Sequence, residues 1–434
     1  MRIARILITA GAVSCLCGRA LAQDSGQGAP AGQEETLRRL QQLEAEVQQL
    51  RASIRYPRAE DGAGAPARQD GDTPGRLDEQ DKRLDELESR VSSLSLGEQK
   101  FHLGGFIEST FTAPEHGDST FGAAFKPIFL WKLSEKAYAA AAVEFEVEDN
   151  DSKANIEYAY AGYDVTDWMS VRAGVILHPL DTFQQSLHPS WINVLPDAPL
   201  FADDGGLAPE KGMGAEVRGA FATRAGKFNY TAWVTNGPSL VEDGDGAGTY
   251  SLDEFSDVNG DKAFGFRVGY LPVPEVEVAY GVQYNDVISS GSALPSNHLL
   301  MHDFSVSYTA EPRWAGGRID ARAEVLFADL QDQVDLGGGP FSNDRSGGYV
   351  QLAYRPTQAA GFWKDLEPVV RWDFLHSPDG APDPADRSRF TVGLDYWLSP
   401  RMVLKAAYEF DHVSDPTDTS VSDNALLLQF VVGF

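Results

Sequence analysis

The chain has 434 residues, 42 glycines, 11% aromatic residues, a formal net charge of −28 and a mean hydropathy of −0.29. That acidic balance argues against nucleic acid as a partner. No run of 18 or more apolar residues follows the N-terminus, which excludes a membrane-spanning helix but not a membrane β-barrel, half of whose strand residues are polar.

Met1 to Ala22 reads as a secretory signal. Arg2 and Arg5 charge its start, Ile6 to Cys17 is apolar, and Ala20-Leu21-Ala22 is a small-x-small cleavage site. Removing it takes the formal charge from −28 to about −31, because Arg2, Arg5 and Arg19 are lost with no acid. Cys15 and Cys17 also leave with it, so no disulfide is expected. A lipoprotein site at Cys15 is the rival, but Ala12-Val13-Ser14 matches that box poorly.

Residues 23–99 read as a periplasmic coiled-coil stalk. Leu40, Leu43, Val47, Leu50 and Ile54 recur at a and d positions, as do Leu77, Leu84, Leu87, Val91 and Leu94. A Pro/Gly-rich linker over 56–75 separates the two runs. Each run is about three heptads, too short to hold alone in water, which points to association through another part of the chain and to a homotrimer. A partly helical tether is the plainer alternative.

From residue 100 the period changes to 2. Phe101, Leu103, Ile107 and Phe111 share one face of the first predicted strand, and Phe121, Phe125, Phe129 and Trp131 one face of the second. The alternation repeats to Leu426, Leu428, Phe430, Val432 and Phe434, giving sixteen strands. Tight connections at Thr166-Asp167, Pro272 to Pro274 and Ser399-Pro400 are placed on the periplasmic side. Long ones near Pro179 to Glu210, Ser239 to Asp261, Gln331 to Gly347, Ser377 to Arg387 and Ser414 to Asp423 are placed outside. The fold class predicted is all-β: a 16-stranded antiparallel transmembrane barrel over 100–434, preceded by the short coiled coil. Ile156, Tyr158 and Tyr160 are assigned to one outward face. Trp131, Trp168, Trp233, Trp314, Trp363, Trp372 and Trp397 are assigned to interfacial girdles.

The opposite face of the strands carries the charges. Lys126, Lys132, Arg172, Arg218, Arg267, Arg318, Arg322, Arg371, Arg389, Lys405, Glu144 and Glu146 are expected to line a wet lumen, since charges aimed at lipid cost several kcal/mol each. The candidate constriction is His178 to Gly214, a loop with His178, Asp181, His188, Asp197, Asp203, Asp204, Glu210 and Lys211. Its Trp191, Leu195, Leu200 and Phe201 make free suspension in water unfavourable, so it is expected to fold into the lumen.

The order of these features resembles the family that includes the phosphate-selective porins O and P. The Pro-rich loop, Pro199-Leu200, Lys211-Gly212-Met213-Gly214 and the stretch FNYTAWVTNGP from Phe228 to Pro238 carry the likeness. The terminal Phe434 is similar to the last residue of bacterial outer-membrane barrels. This resemblance implies an outer-membrane location and a channel. Selectivity for oxyanions in that family rests on a lysine- and arginine-rich constriction, whereas this loop has Lys211 against five acids.

The function expected is an outer-membrane porin for small hydrophilic solutes or ions. The alternatives are an oxyanion-selective channel and a structural anchor with little conductance. The partners expected are the lipid bilayer, lipopolysaccharide bridged through acidic loops, further copies of the chain, and solutes in transit. No cofactor, metal or catalytic residue is expected. His188-Pro189-Ser190 and Asp411-His412 with Asp203-Asp204 resemble outer-membrane phospholipase and omptin sites only in fragments, and Asp257 to Asp261 lacks the acidic residue a calcium loop would need.

Overall fold

A computed structural model describes residues 100–148, 151–203, 205–244, 247–252, 255, 257, 259–378, 386–414 and 421–434. The predicted signal, the stalk and Asp204 lie outside the described residues.

Sixteen long strands form one antiparallel sheet. They are β1 Phe101–Pro114, β2 Thr120–Lys132, β3 Ala137–Glu148, β4 Asp151–Thr166, β5 Met169–Leu177, β6 Lys211–Thr223, β7 Gly226–Asn236 and β8 Lys262–Val273. Then come β9 Val276–Asp286, β10 His298–Ala310, β11 Arg318–Leu330, β12 Arg345–Arg355, β13 Leu366–His376, β14 Asp386–Ser399, β15 Met402–Ser414 and β16 Ala425–Gly433. A two-residue strip, Val421–Ser422, adds to the edge of β15.

Each strand pairs with its sequence neighbours, and β1 pairs with both β2 and β16, from Phe106 against Gly433 to Pro114 against Ala425. The sheet therefore closes, and no backbone edge is left to face lipid. The closure is finished by the last residue. The Phe434 amide donates to the Gly105 carbonyl at 3.0 Å, and its ring stacks on Phe125 with centroids 5.8 Å apart. Gly105 has φ +145°, and a Cβ there would sit 2.9 Å from the Phe434 ring, so the seam needs a glycine.

One rim carries the tight turns and the other the long connections, because hairpins of a few residues alternate with segments such as 178–210, 237–261 and 331–344. The outer wall is apolar: Phe121, Phe264, Phe304, Val350, Leu394 and Phe410 are exposed around the barrel. Trp168, Trp314 and Trp363 are exposed at the turn rim, as expected of a girdle.

Three assignments from periodicity are corrected. A bulge places the pairs Ala142–Tyr158 and Val143–Ile156 next to each other, with Glu157 as the extra residue. The parity of β4 flips there, so Ile156 faces out while Tyr160 turns inward beneath Arg172, 4.7 Å from its guanidinium carbon. Trp233 is not in a girdle; it is buried inside the barrel and donates to the Gln283 side chain at 2.9 Å. Trp397 likewise reaches inward, donating to Glu367 at 2.7 Å.

Candidate functional site

The loop between β5 and β6, residues 178–210, lies against the inner wall of the barrel. Backbone carbonyls of the loop meet cations of the wall. Arg371 donates to the carbonyls of Asp197 and Ala198, each at 2.9 Å, while its Nε binds Asp373 at 3.0 Å. Lys405 donates to the carbonyls of Ser190 and Asn193, the latter at 2.7 Å. Arg389 donates to the Ala198 carbonyl and lies 3.6 Å from Asp197, 3.8 Å from Asp203 and 3.4 Å from Glu409. At the start of the loop, the Thr182 hydroxyl accepts from Arg267 at 2.6 Å and meets Ser305 at 2.7 Å, and its amide donates to Glu324.

Apolar loop side chains fill gaps opened by glycines of the wall. A Cβ on Gly347 would sit 2.7 Å from Phe201, one on Gly393 would sit 2.6 Å from Leu195, and one on Gly281 would meet the backbone of Leu180. Leu180, Phe183, Leu200 and Phe201 join a core with Leu299, Met301, Leu326 and Tyr349 of the wall. Leu240, Tyr250, Val287, Val334 and Phe341 extend that core from other loops. The inner face of β10 and β11 near the long-loop rim is thus apolar, where a uniformly charged lumen was expected.

Two cavities flank the loop. The first, about 450 Å³, is lined by the upper halves of β1 to β4 and by the loop. Its walls include Glu108, Glu144, Glu146, Glu157, Asp197, Asp203 and Glu210, with Lys126, Lys153 and Lys211. Lys126 lies 2.5 Å from Glu144 and 3.6 Å from Glu108. The second, about 490 Å³, lies towards the turn rim, where Arg172, Arg218, Arg267 and Arg322 line it with Glu277 and Glu324.

The predicted residues divide accordingly. His188, Asp197, Asp203, Glu210 and Lys211 meet in the first cavity with Lys126, Glu144 and Glu146. Arg172, Arg218, Arg267 and Arg322 meet in the second. His178 and Asp181 are buried at the loop's foot and line neither of these cavities. Arg371, Arg389 and Lys405 do not line open water; the loop covers them. Lys132 is exposed near the turn rim, outside both cavities. Sequence reasoning missed the part played by Gly281, Gly347 and Gly393, and by Gln184, whose side chain donates to the Ala202 carbonyl at 2.8 Å. A glycine at an inward position of a strand is the signal that was available.

Burial pulls the His178 imidazole down to about 3 and that of His188 down to about 4, and pushes the Asp181 carboxyl up. His188 is therefore neutral at physiological pH. Its Nδ1 pairs with the Gln184 carbonyl at 2.7 Å, and its Nε2 lies 3.9 Å from Glu157. Among the described residues no cluster of His, Cys, Asp and Glu is arranged to hold a metal ion.

Comparison with known proteins agrees with this architecture. The outer-membrane channel DcaP of Acinetobacter baumannii superposes with a TM-score of 0.53 at 12% identity, over 77% of this chain and 97% of its own. An anion-selective porin from Comamonas acidovorans gives 0.53 at 13%, over 77% and 99%. In-vitro folded OmpT, an outer membrane protein of Vibrio cholerae, gives 0.51 at 12%, over 77% and 97%. At such identities the likeness is one of fold. No curated protein matches the sequence. Residues 115–416 match the Gram-negative porin family, which is most of the barrel, and the chain belongs to that family.

Proposed function

We propose that the protein is a porin whose loop 178–210 narrows a water-filled path for small hydrophilic solutes and ions. The tethering of that loop to the wall by Arg371, Arg389 and Lys405 carries this reading. A loop held by buried, charge-assisted hydrogen bonds is a fixed partition rather than a mobile tail. The lining offers solvated charge, so passage is diffusion set by width and electrostatics. The long-loop rim faces the outside and the turn rim the periplasm. The acidic outer loops suit divalent cations that bridge lipopolysaccharide.

A homotrimer is supported by the outer wall. Ala139, Ala161, Ala173 and Ala215 are in cross-strand register on β3, β4, β5 and β6, a row of small side chains on a face otherwise built from large ones. Small residues allow close approach of a second barrel. A second reading, selectivity for oxyanions as in the phosphate-selective porins, is favoured by the four arginines of the turn-side cavity and opposed by the seven carboxylates of the other.

Planar-bilayer recording of the refolded protein tests both. Conductance steps in groups of three, with a reversal potential directed by cations in a salt gradient, are expected. A potential directed by anions and blocked by added phosphate would replace the first reading with the second. A barrel that inserts and passes no current would leave only a structural anchor.

A further inference from the structure

The two cavities differ in which charges stand in front. On the long-loop side seven carboxylates line the cavity against Lys126, Lys153 and Lys211: the side chains of Glu210, Asp203 and Asp197 are 42%, 40% and 34% exposed, against 12% for Lys211 and 18% for Lys126, while Lys153 is exposed as well. On the turn side the order is reversed. Arg172 and Arg218 share Glu216, at 3.4 and 3.5 Å, and that carboxylate is 2% exposed behind guanidinium groups that are 23% and 34% exposed. Across the chamber Arg322, 16% exposed, holds Asp320, 4% exposed, and Arg318, 45% exposed at the turn rim just outside the cavity lining, shares that carboxylate. One carboxylate serves two arginines in each set, and with Glu277, which also lines the chamber, four arginines stand against three carboxylates, a surplus of one positive charge turned to the water. Arg267 is set apart, because it faces the buried Asp303, Glu324 and Asp181.

The geometry points to a bipolar pore, acidic outside loop 178–210 and basic beneath it, that conducts more readily when the long-loop side is positive. This rests on the channel reading above. In the acidic section the mobile ions are cations, and in the basic section they are anions. A field that drives cations inward and anions outward brings both to the partition and enriches it in carriers. The opposite field draws both away and depletes it. The pore then rectifies, favouring inward cation flow together with outward anion flow.

The test is the current–voltage curve of single refolded channels in symmetric salt. Orientation is read from Ala293→Cys, an exposed position on a long loop, biotinylated and capped with streptavidin added to one chamber. In 0.1 M salt, where screening reaches about 10 Å, the current ratio at opposite voltages should be roughly twofold, larger with the long-loop side positive. In 1 M salt, where screening falls to about 3 Å, it should approach one. Replacing Arg218→Gln and Arg318→Gln together should bring the 0.1 M ratio close to one while steps persist. A symmetric curve in 0.1 M salt overturns the proposal and leaves the channel reading standing. So does asymmetry that survives 1 M salt, which would come from the shape of the pore. Absence of any steps removes both.

Discussion

The barrel has a dry wall and a wet wall. Along β7, β10, β11, β12 and β13, the inner face near the long-loop rim is packed with Trp233, Leu299, Met301, Leu326, Tyr349 and Leu375 under several loops. Along β1 to β4 the same level is open and lined by Glu108, Lys126, Glu144 and Glu157. One sheet therefore serves two purposes. The dry side is a globular core wrapped inside a barrel, where apolar burial fixes the loops. The wet side is left as the path. The loop 178–210 joins them: its apolar residues belong to the dry side, while Asp197, Asp203 and Glu210 face the wet one.

The largest expected effect comes from removing what joins the two walls. Replacing residues 179–209 by a short Gly-Ser linker should raise single-channel conductance several-fold, because the partition goes, and should uncover the apolar wall. Bilayer recording with binding of a hydrophobic dye checks both. Unchanged conductance would mean that the loop does not set the width.

The next effect sets a dry site under the loop, at Lys405 of β15, against the wet wall by the same chemical change. Lys405→Met strands the carbonyls of Ser190 and Asn193 in a dry site, and hydrogen bonds to a buried charge are worth about 1.5–3 kcal/mol. Lys126→Met leaves Glu108 and Glu144 in reach of cavity water and should cost less than Lys405→Met, because water can take the place of the ammonium group. Urea unfolding of the protein in detergent measures the two. Equal losses would show that the wet wall is no wetter than the other. Overpacking offers a related check. Gly393→Val would drive into Leu195 and should cost about 1–3 kcal/mol, with noisier open-channel current as the loop shifts.

Sequence alone carried the strand order well and the interior unevenly. All sixteen strands were legible because lipid demands an unbroken apolar face of period 2, and nothing in the lumen disturbs that signal. The bulge at Glu157, in the middle of a strand, was invisible, since one inserted residue leaves the composition of a strand unchanged while exchanging its faces. Arg371 and Lys405 could be placed on the inner face, but that a loop distant in sequence covers them is a tertiary fact with no local mark. Trp233 was misplaced for a related reason: an aromatic residue near a strand end suits an interfacial belt or a core equally well. The inward Leu299, Met301 and Leu326 did break the expected polar alternation, and that break was the one local trace of the dry wall.

The smallest effect belongs to His188, at the border between the walls. Its imidazole is held near 4 by burial, below the ordinary value near 6.5 of an unfolded chain. Between those values the unfolded chain binds a proton that the native site refuses, so the stability contributed by neutral His188 is complete above about 6.5. It falls as pH drops through the window, and the loss ends near 4. His188→Gln removes this dependence while an amide can still meet the Gln184 carbonyl. Between pH 7 and pH 5 the unmodified protein should lose on the order of 1 kcal/mol more than the variant. The burial of His178 acts on both proteins and cancels in the difference. Paired urea titrations at the two pH values supply the number. Parallel losses would mean that water from the wet cavity reaches His188 freely, and the border between the walls would then lie on the far side of that ring.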